Sequence, residues 1–184
     1  MSNDSHWKRL ARNTVHDTRF MKMHLDKVQL PSSEVVDDYE VVALPDAVIV
    51  AATDQDDNLI LFREYKYAVD KTVLTFSAGG VGKDESPTDA ATRELLEETG
   101  YGKGEVEYIA PLMVYPSKVE HTSHIVRITH AKKITDVEHE NTETISEVEL
   151  VPLDQIPRLI EEGWLNTMHM VAAMALAFPG YLKR

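Results

Sequence analysis

The sequence predicts an α/β protein, a mixed sheet sandwiched by helices, with a small strand-rich arm ahead of it. Three observations lead there. Short stretches with strand periodicity, bounded by turn residues, recur along most of the chain. Helix signals come only at intervals, with no regular βα repeat, which suits a mixed rather than a doubly wound sheet. Pro45-Asp46 marks a seam between an arm, residues 1–45, and a main domain, residues 46–184.

In Arg19 to Asp26, Met21, Met23 and Leu25 alternate with Lys22, His24 and Asp26, the period of a half-buried strand. Val28 and Leu30 continue on the opposite parity, implying a bulge or a change of face near Lys27. Pro31-Ser32-Ser33 is turn chemistry, and Glu34 to Leu44 returns as a strand. An arm of about forty-five residues is too small to bury much alone. Past the seam, Ala47 to Thr53 reads as a buried strand, Asp54 to Asp57 as a polar turn and Asn58 to Tyr67 as a strand. Val73 to Ser77 is short and apolar and ends at Gly79-Gly80. Ser86 is a helix N-cap, with Pro87 at the first helical position, Asp89 three residues on, and Gly100 closing the helix. Glu105 to Tyr115, Thr122 to Thr129 and Glu147 to Leu150 are further strands. Leu153 to Glu162 and Asn166 to Phe178 are helical, with Pro179-Gly180 as a stop.

Composition narrows the function. The 184 residues carry 19 Lys+Arg against 31 Asp+Glu, a net charge of −12, and 43% are apolar. That balance excludes a binder of nucleic-acid backbones, which needs clustered cations. It leaves room for a polyphosphate substrate, because a divalent cation reverses the local sign. The absence of cysteine removes disulfides, zinc–thiolate sites and thiol nucleophiles. The opening MSNDSHWKRLARN has no apolar core like a signal peptide's. The longest apolar run, Met168 to Phe178, is broken by His169 and falls short of the ~20 residues that span a bilayer. The expectation is a soluble, cytoplasmic protein.

The helix Pro87 to Thr99 carries the chemistry. At ~100° per residue Glu94, Glu97 and Glu98 share a face, with Leu95, Leu96, Thr92 and Thr99 roughly opposite, so the carboxylates are expected to project away from the buried stripe. Like charges at this spacing cost about 0.2–0.5 kcal/mol per pair. Anions at a helix C-terminus cost a further ~0.3–1 kcal/mol. Either the face is simply solvated, with Arg93 offsetting Glu97, or a hard divalent cation neutralises it. Oxygen ligands without thiols suit magnesium or manganese.

The preceding residues favour the cation. Gly79, five residues, Glu85, seven residues, then Arg93-Glu94-Leu95-Leu96-Glu97-Glu98-Thr99-Gly100-Tyr101 resembles the Nudix box, G-x5-E-x7-R-E-U-x-E-E-x-G-U, with Tyr101 in the last bulky place. The resemblance implies a Mg²⁺-dependent hydrolase of a nucleoside diphosphate linked to another moiety, with Mn²⁺ as a substitute. It implies metal ligation by Glu94, Glu97, Glu98 and the main chain near Ala78, with catalytic work by Glu97 and Glu98. Gly79, Glu85, Arg93 and Gly100 take structural roles in it. Gly79 and Gly80 fit a close approach of backbone to metal and phosphate.

Flanking residues resemble the ADP-ribose and nucleoside diphosphate sugar pyrophosphatases: Trp7-Lys8, the hairpin at Leu30-Pro31-Ser32, Arg63-Glu64-Tyr65-Lys66-Tyr67, and Tyr115-Pro116-Ser117. That implies an α/β/α Nudix sandwich, a homodimer formed through the N-terminal arm, and substrate contacts at Glu64, Tyr65, Lys66, Gly80 and Ser117. Lys66 stands where the subgroup carries Arg, keeping a charge but losing the bidentate fork. Ser123 stands where many members have a further glutamate, with Glu120 as a stand-in. A general base is expected in the loop from Glu138 to Glu147, and Glu143 is favoured over Glu140, Glu147 and Glu120.

Trp7, Phe20 and Tyr39 are candidates for stacking on a base. Tyr65 and Tyr67 fit stacking or core, while Trp164, Met168, Met170 and Met174 read as core. His121 and His124 fit surface or packed histidines better than pocket residues. The implied reaction splits ADP-ribose or a related nucleotide sugar into a nucleoside monophosphate and a sugar phosphate. The alternatives are a GDP-mannose-type hydrolase and a catalytically silent nucleotide sensor. The long arm disfavours a compact hydrolase of modified nucleoside triphosphates.

Overall fold

The computed structural model describes residues 6–137 and 147–181. Three strands come first, β1 (Lys8–Asp17), β2 (Lys22–Gln29) and β3 (Val35–Ala43). Next are β4 (Ala47–Asp54), β5 (Asn58–Lys66), β6 (Lys71–Thr75) and β7 (Ser77–Gly80). Helix α1 (Pro87–Thr99) leads into β8 (Tyr101–Gly102), β9 (Glu105–Met113), β10 (Val119–Glu120) and β11 (Thr122–Lys133). Strand β12 (Glu149–Pro152) precedes the helices α2 (Ile156–Glu161) and α3 (Met168–Ala177).

The chain divides into two compact units. One comprises Met1–Asp46 with Met113–Thr122, the other Ala47–Leu112 with Ser123–Arg184. The first unit is a sheet in the order β1-β2-β3-β10, antiparallel except for the parallel β3–β10 pair. The turn at Pro31–Ser33 closes with the Ser33 N–H donating to the Leu30 carbonyl at 2.9 Å.

Strand β2 reverses the expected faces. His24, Asp26 and Val28 are buried, while Met21 is exposed and Met23 and Leu25 are half-buried. The reason is a partner on another strand. Arg12, opposite Asp26 in the register, donates to both its carboxylate oxygens at 2.8 and 2.7 Å. The same guanidinium reaches Glu120 at 2.7 and 3.2 Å. A paired, hydrogen-bonded charge tolerates burial that an isolated one does not. The irregularity expected near Lys27 is present as a register shift between Asp26 and Val28, but the buried parity runs straight through it. Strand β1 had no sequence signal, because KRLARNTVHD is polar on both parities, and nearly all of it is exposed.

In the second unit β4 runs parallel to β11 and antiparallel to β7 and β5, which makes the sheet mixed. Its alternate residues serve two cores. Ile49 and Ala51 join Leu61, Phe76 and the α3 residues Met170 and Met174. Val48, Val50 and Ala52 join Ile60, Ala91 and Leu95 on the α1 side. Burial on both faces explains why β4 reads as an unbroken apolar run.

Helix α1 spans the expected residues with the expected caps. The Ser86 hydroxyl oxygen accepts from the Asp89 N–H at 3.1 Å, and Gly100, at φ 71°, donates its N–H to the Leu96 carbonyl at 2.9 Å. Its buried stripe is Ala90, Ala91, Leu95 and Thr99, whereas Thr92 and Leu96 are exposed. Two further expectations of burial are overturned, at Met168 and Trp164, and of the two readings of Tyr67 the core one falls. Tyr67 and Met168 are 87% and 72% exposed, and Trp164 lies half open beneath Arg63, whose guanidinium carbon is 4.3 Å from the ring centroid. Helix α3 is apolar all round, so hydrophobicity alone does not mark its inward face.

Two outcomes follow for stability. A Cβ at residue 100 would fall 2.1 Å from the Thr135 carbonyl oxygen in a left-handed conformation. Gly100→Ala is expected to cost on the order of 2–4 kcal/mol in denaturant titration. The Arg12 hydrogen bonds hold the Asp26 carboxyl below its ordinary value. Its stabilisation is therefore complete above the unfolded value near 3.8 and lost as pH falls through the lower folded value. Wild type should melt well above Asp26→Asn at pH 6, and the gap should close as the pH is taken below about 4.

Candidate active site

Arg93 organises the loop–helix segment. Its Nε and Nη2 grip Glu85 at 2.9 and 3.0 Å, Nη1 donates to Glu94 at 2.6 Å and Glu97 at 3.1 Å, and Nη2 also reaches the Gly80 carbonyl at 3.1 Å. The Gly82 N–H adds a bond to Glu85 at 2.9 Å. With Arg93 first and that N–H second, the Glu85 carboxyl is held down to about 2. Glu85 and Arg93 thus fasten the loop after β7 to α1.

The glutamates do not form a solvated face. The Glu94 side chain is 14% exposed and that of Glu97 57%. Glu98 lies inward and accepts from the Ala78 N–H at 3.1 Å. Burial pushes the Glu98 carboxyl up to about 8, with the charges of Glu94 and Glu64 adding to the rise against the Ala78 hydrogen bond. Glu94 and Glu98 therefore run along one edge of the buried stripe and turn toward β7, contrary to the outward projection expected from the helical wheel. Gly79 makes this possible: a Cβ there would sit 2.0 Å from the Glu94 carboxyl carbon. Gly80 is different, since a Cβ there meets nothing within 4 Å, and its contribution is the carbonyl that Arg93 holds.

These groups fit a hard divalent cation by their chemistry. They are oxygen donors, and the Glu98 carboxyl sits near those of Glu94 and Glu64 without a guanidinium of its own. Their orientation is governed by Arg93, and among the described residues no three carboxylates or imidazoles are gathered as a closed ligand set.

A cavity of about 480 Å³ opens beside Glu98, lined also by Tyr101, Lys133, Asp136, Glu147 and Leu150. Lys133 had no sequence signal. It lies 34 positions from α1's last carbonyl, at Thr99, to which its Nζ donates at 3.1 Å. It also faces the Tyr101 ring at 5.5 Å. Its charge meets the negative end of the helix. Of the candidate bases, Glu147 lines this cavity with Glu98, whereas Glu140 and Glu143 fall outside the described residues.

The other expected contacts are dispersed. On β5, Glu64 and Lys66 form an ion pair, and the Tyr65 hydroxyl donates to Asp70 at 2.8 Å. Ser117 belongs to the other unit, where its carbonyl accepts from the Tyr39 hydroxyl. Glu120 is claimed there by Arg12, whose hydrogen bonds hold it below the ordinary carboxylate range, the opposite of what a general base needs. Trp7 packs edge-on against Tyr39 at 5.4 Å with the Lys118 ammonium over the same Tyr39 ring at 4.0 Å, while Phe20 pairs with Arg19. His121 bonds the Pro45 carbonyl and His124 the Tyr108 hydroxyl, at 2.7 and 3.0 Å.

Comparison with known proteins places this geometry. A NUDIX domain profile matches residues 43–173, and a nucleoside diphosphate sugar hydrolase N-terminal domain profile matches residues 7–42. The methanol dehydrogenase activator of Bacillus methanolicus is 28% identical over 91% of this chain and 90% of its own. The ADP-ribose pyrophosphatase of Bacillus subtilis strain 168 is 24% identical over 84% and 83%. A crystal structure of an ADP compounds hydrolase superposes with a TM-score of 0.77 at 27% identity, covering 91% of this chain and 89% of that one. With the Arg93-centred loop and helix lying inside a profile that spans most of its length, the chain belongs to the Nudix hydrolase family.

Proposed function

We propose that the protein hydrolyses the diphosphate bond of ADP-ribose or a related nucleoside diphosphate sugar, releasing a nucleoside monophosphate and a sugar phosphate. The observation that carries this is the convergence of Glu94 and Glu98 on Ala78-Gly79, in a chain whose relatives include an ADP-ribose pyrophosphatase and whose N-terminal residues match a nucleoside diphosphate sugar hydrolase profile.

Nudix hydrolases use a divalent metal, and Mg²⁺, with Mn²⁺ as a substitute, is the ion we assign to Glu94, Glu97, Glu98 and the Ala78 main chain. When bound, the cation offsets the charge of the diphosphate and polarises its phosphorus–oxygen bonds. The remaining tasks belong to the protein. Arg93 keeps Glu85 and the backbone of Gly80 fixed, so the glutamates start from a rigid loop. Lys66, beside Glu64, supplies a point charge for a phosphate oxygen. A carboxylate of the segment ending at Glu147 takes the proton of the attacking water, and Glu143 is our assignment. No covalent nucleophile enters.

A homodimer built through residues 1–45 belongs to the same reading. Strand β1 is a ten-residue sheet edge with nearly every position exposed, and Trp7, Leu10, Val15 and Phe20 are 43–67% exposed beside it. Such an edge is a template for pairing with another chain.

Three measurements test the proposal. Glu97→Gln and Glu98→Gln should each lower Mg²⁺-dependent release of monophosphate by roughly a hundredfold or more with unchanged circular dichroism. Full turnover in either variant removes the metal assignment. A panel of ADP-, GDP- and UDP-sugars run with wild type separates ADP-ribose from GDP-mannose-type activity, and no turnover of any would favour a silent sensor. Light scattering should return twice the 20.8 kDa chain mass, and a monomer at micromolar concentration would end the dimer assignment.

A further inference from the structure

The last turn of α1 bears Glu97 and Glu98 and no basic residue. Its unpaired carbonyls and those two carboxylates are of one sign, so the turn is under electrostatic load. A helix commonly relieves such an end with a lysine or arginine of its own. Here the cation comes from β11. The Thr99 carbonyl accepts from the Lys133 ammonium at 3.1 Å, the Leu95 carbonyl from the Thr99 hydroxyl, and the Leu96 carbonyl from the Gly100 N–H at 2.9 Å. The Gly100 carbonyl accepts from the Ile134 N–H at 2.8 Å. Strand register delivers Lys133 to this point: it stands opposite Tyr101 in the antiparallel β8–β11 pair, with its ammonium 5.5 Å from the centre of that ring. The ammonium is also 3.1 Å from where a Cβ at residue 100 would lie, so glycine at the helix cap leaves room for it. Asp136, at 3.8 Å and fully exposed, is too far to hydrogen-bond it away.

We infer that Lys133 is a positioning residue for the cation site: it holds the Thr99 carbonyl and supplies the charge that the helix end lacks, and so keeps the turn bearing Glu97 and Glu98 helical. The inference rests on the reading of Glu94, Glu97 and Glu98 as metal ligands. Glu98 is bonded directly to Thr99, so a turn that frays at Thr99 releases Glu98 from the place where the Ala78 N–H meets it. Two other roles for Lys133 predict different results. A lysine acting only as a nearby positive charge would repel a divalent cation, and its loss would tighten binding. A lysine acting only on substrate, from the wall of the cavity it shares with Glu98, would alter KM and leave the metal alone. A lysine that orders the helix end does neither: its loss loosens the metal, because the ion must then also order the turn.

Titration of the full chain with Mn²⁺ in the absence of substrate, followed by electron paramagnetic resonance, reads the site apart from turnover. Lys133→Met keeps an unbranched stem without the charge and should weaken Mn²⁺ binding by roughly fivefold or more. The Mg²⁺ concentration for half-maximal hydrolysis should rise in step, with KM for the nucleotide sugar at saturating Mg²⁺ changed less than about threefold. Lys133→Arg, which retains a charged donor, should bind Mn²⁺ like wild type. Lys132→Met, the same loss of charge at the adjacent exposed position, should do so too. Hydrogen exchange over residues 96–100 should quicken in Lys133→Met and return to the wild-type rate when Mn²⁺ saturates, which separates the local effect from a lower melting temperature. The inference is overturned if Lys133→Met binds Mn²⁺ as tightly as wild type or more tightly, or if its exchange over that turn is unchanged. It is also overturned if Lys132→Met or Lys133→Arg weakens Mn²⁺ as much as Lys133→Met, or if KM alone responds. Wild type that binds Mn²⁺ no better than Glu98→Gln defeats the metal reading and this inference with it. Mn²⁺ binding that responds to Glu98→Gln and ignores Lys133→Met defeats this inference alone.

Discussion

The guanidinium of Arg93 has five N–H donors, and five hydrogen bonds leave it, to Glu85, Glu94, Glu97 and the Gly80 carbonyl. The site depends on that arrangement. Without it, Glu94, Glu97 and Glu98 would repel one another at the negative end of a helix, Glu85 would lose its partner, and the loop after β7 would have little to hold it against α1. The planar fork meets the Glu85 carboxylate with two parallel bonds and still has donors left for the next turn of the helix, a geometry that an ammonium lacks. The pairing also sorts the acids. Glu85, Glu94 and Glu97 are paired with Arg93, whereas Glu98 has an amide N–H and burial, and its carboxyl is driven up rather than down.

Burial of Glu98 ties function to fold. The side chain lies inward because Leu95 and Thr99, its neighbours on the helix, belong to the core, and β7 brings Ala78 and Gly79 up against it. A glycine at 79 is what lets the Glu94 carboxyl come within 2.0 Å of where a Cβ would stand. A site that gathers like charges in a desolvated place is unfavourable for the free protein and suited to a ligand that brings positive charge with it.

Where local chemistry decides, the sequence was legible. Ser86, Pro87, Asp89 and Gly100 act within a few residues of themselves, and the span of α1 followed from them. The same holds for the Pro31–Ser33 turn and for β4, whose two-sided burial leaves an apolar run. Distant partners were illegible. The faces of β2 depend on Arg12, fourteen residues from Asp26, and on Glu120, 108 residues from Arg12. A helical wheel placed Glu94, Glu97 and Glu98 together but could not say that Glu94 and Glu98 run along the edge of the buried stripe rather than opposite it. Trp164 was read as core because nothing nearby in sequence announces that Arg63 covers one face of it. Lys133 is of the same kind, because its role comes from where β11 ends relative to α1.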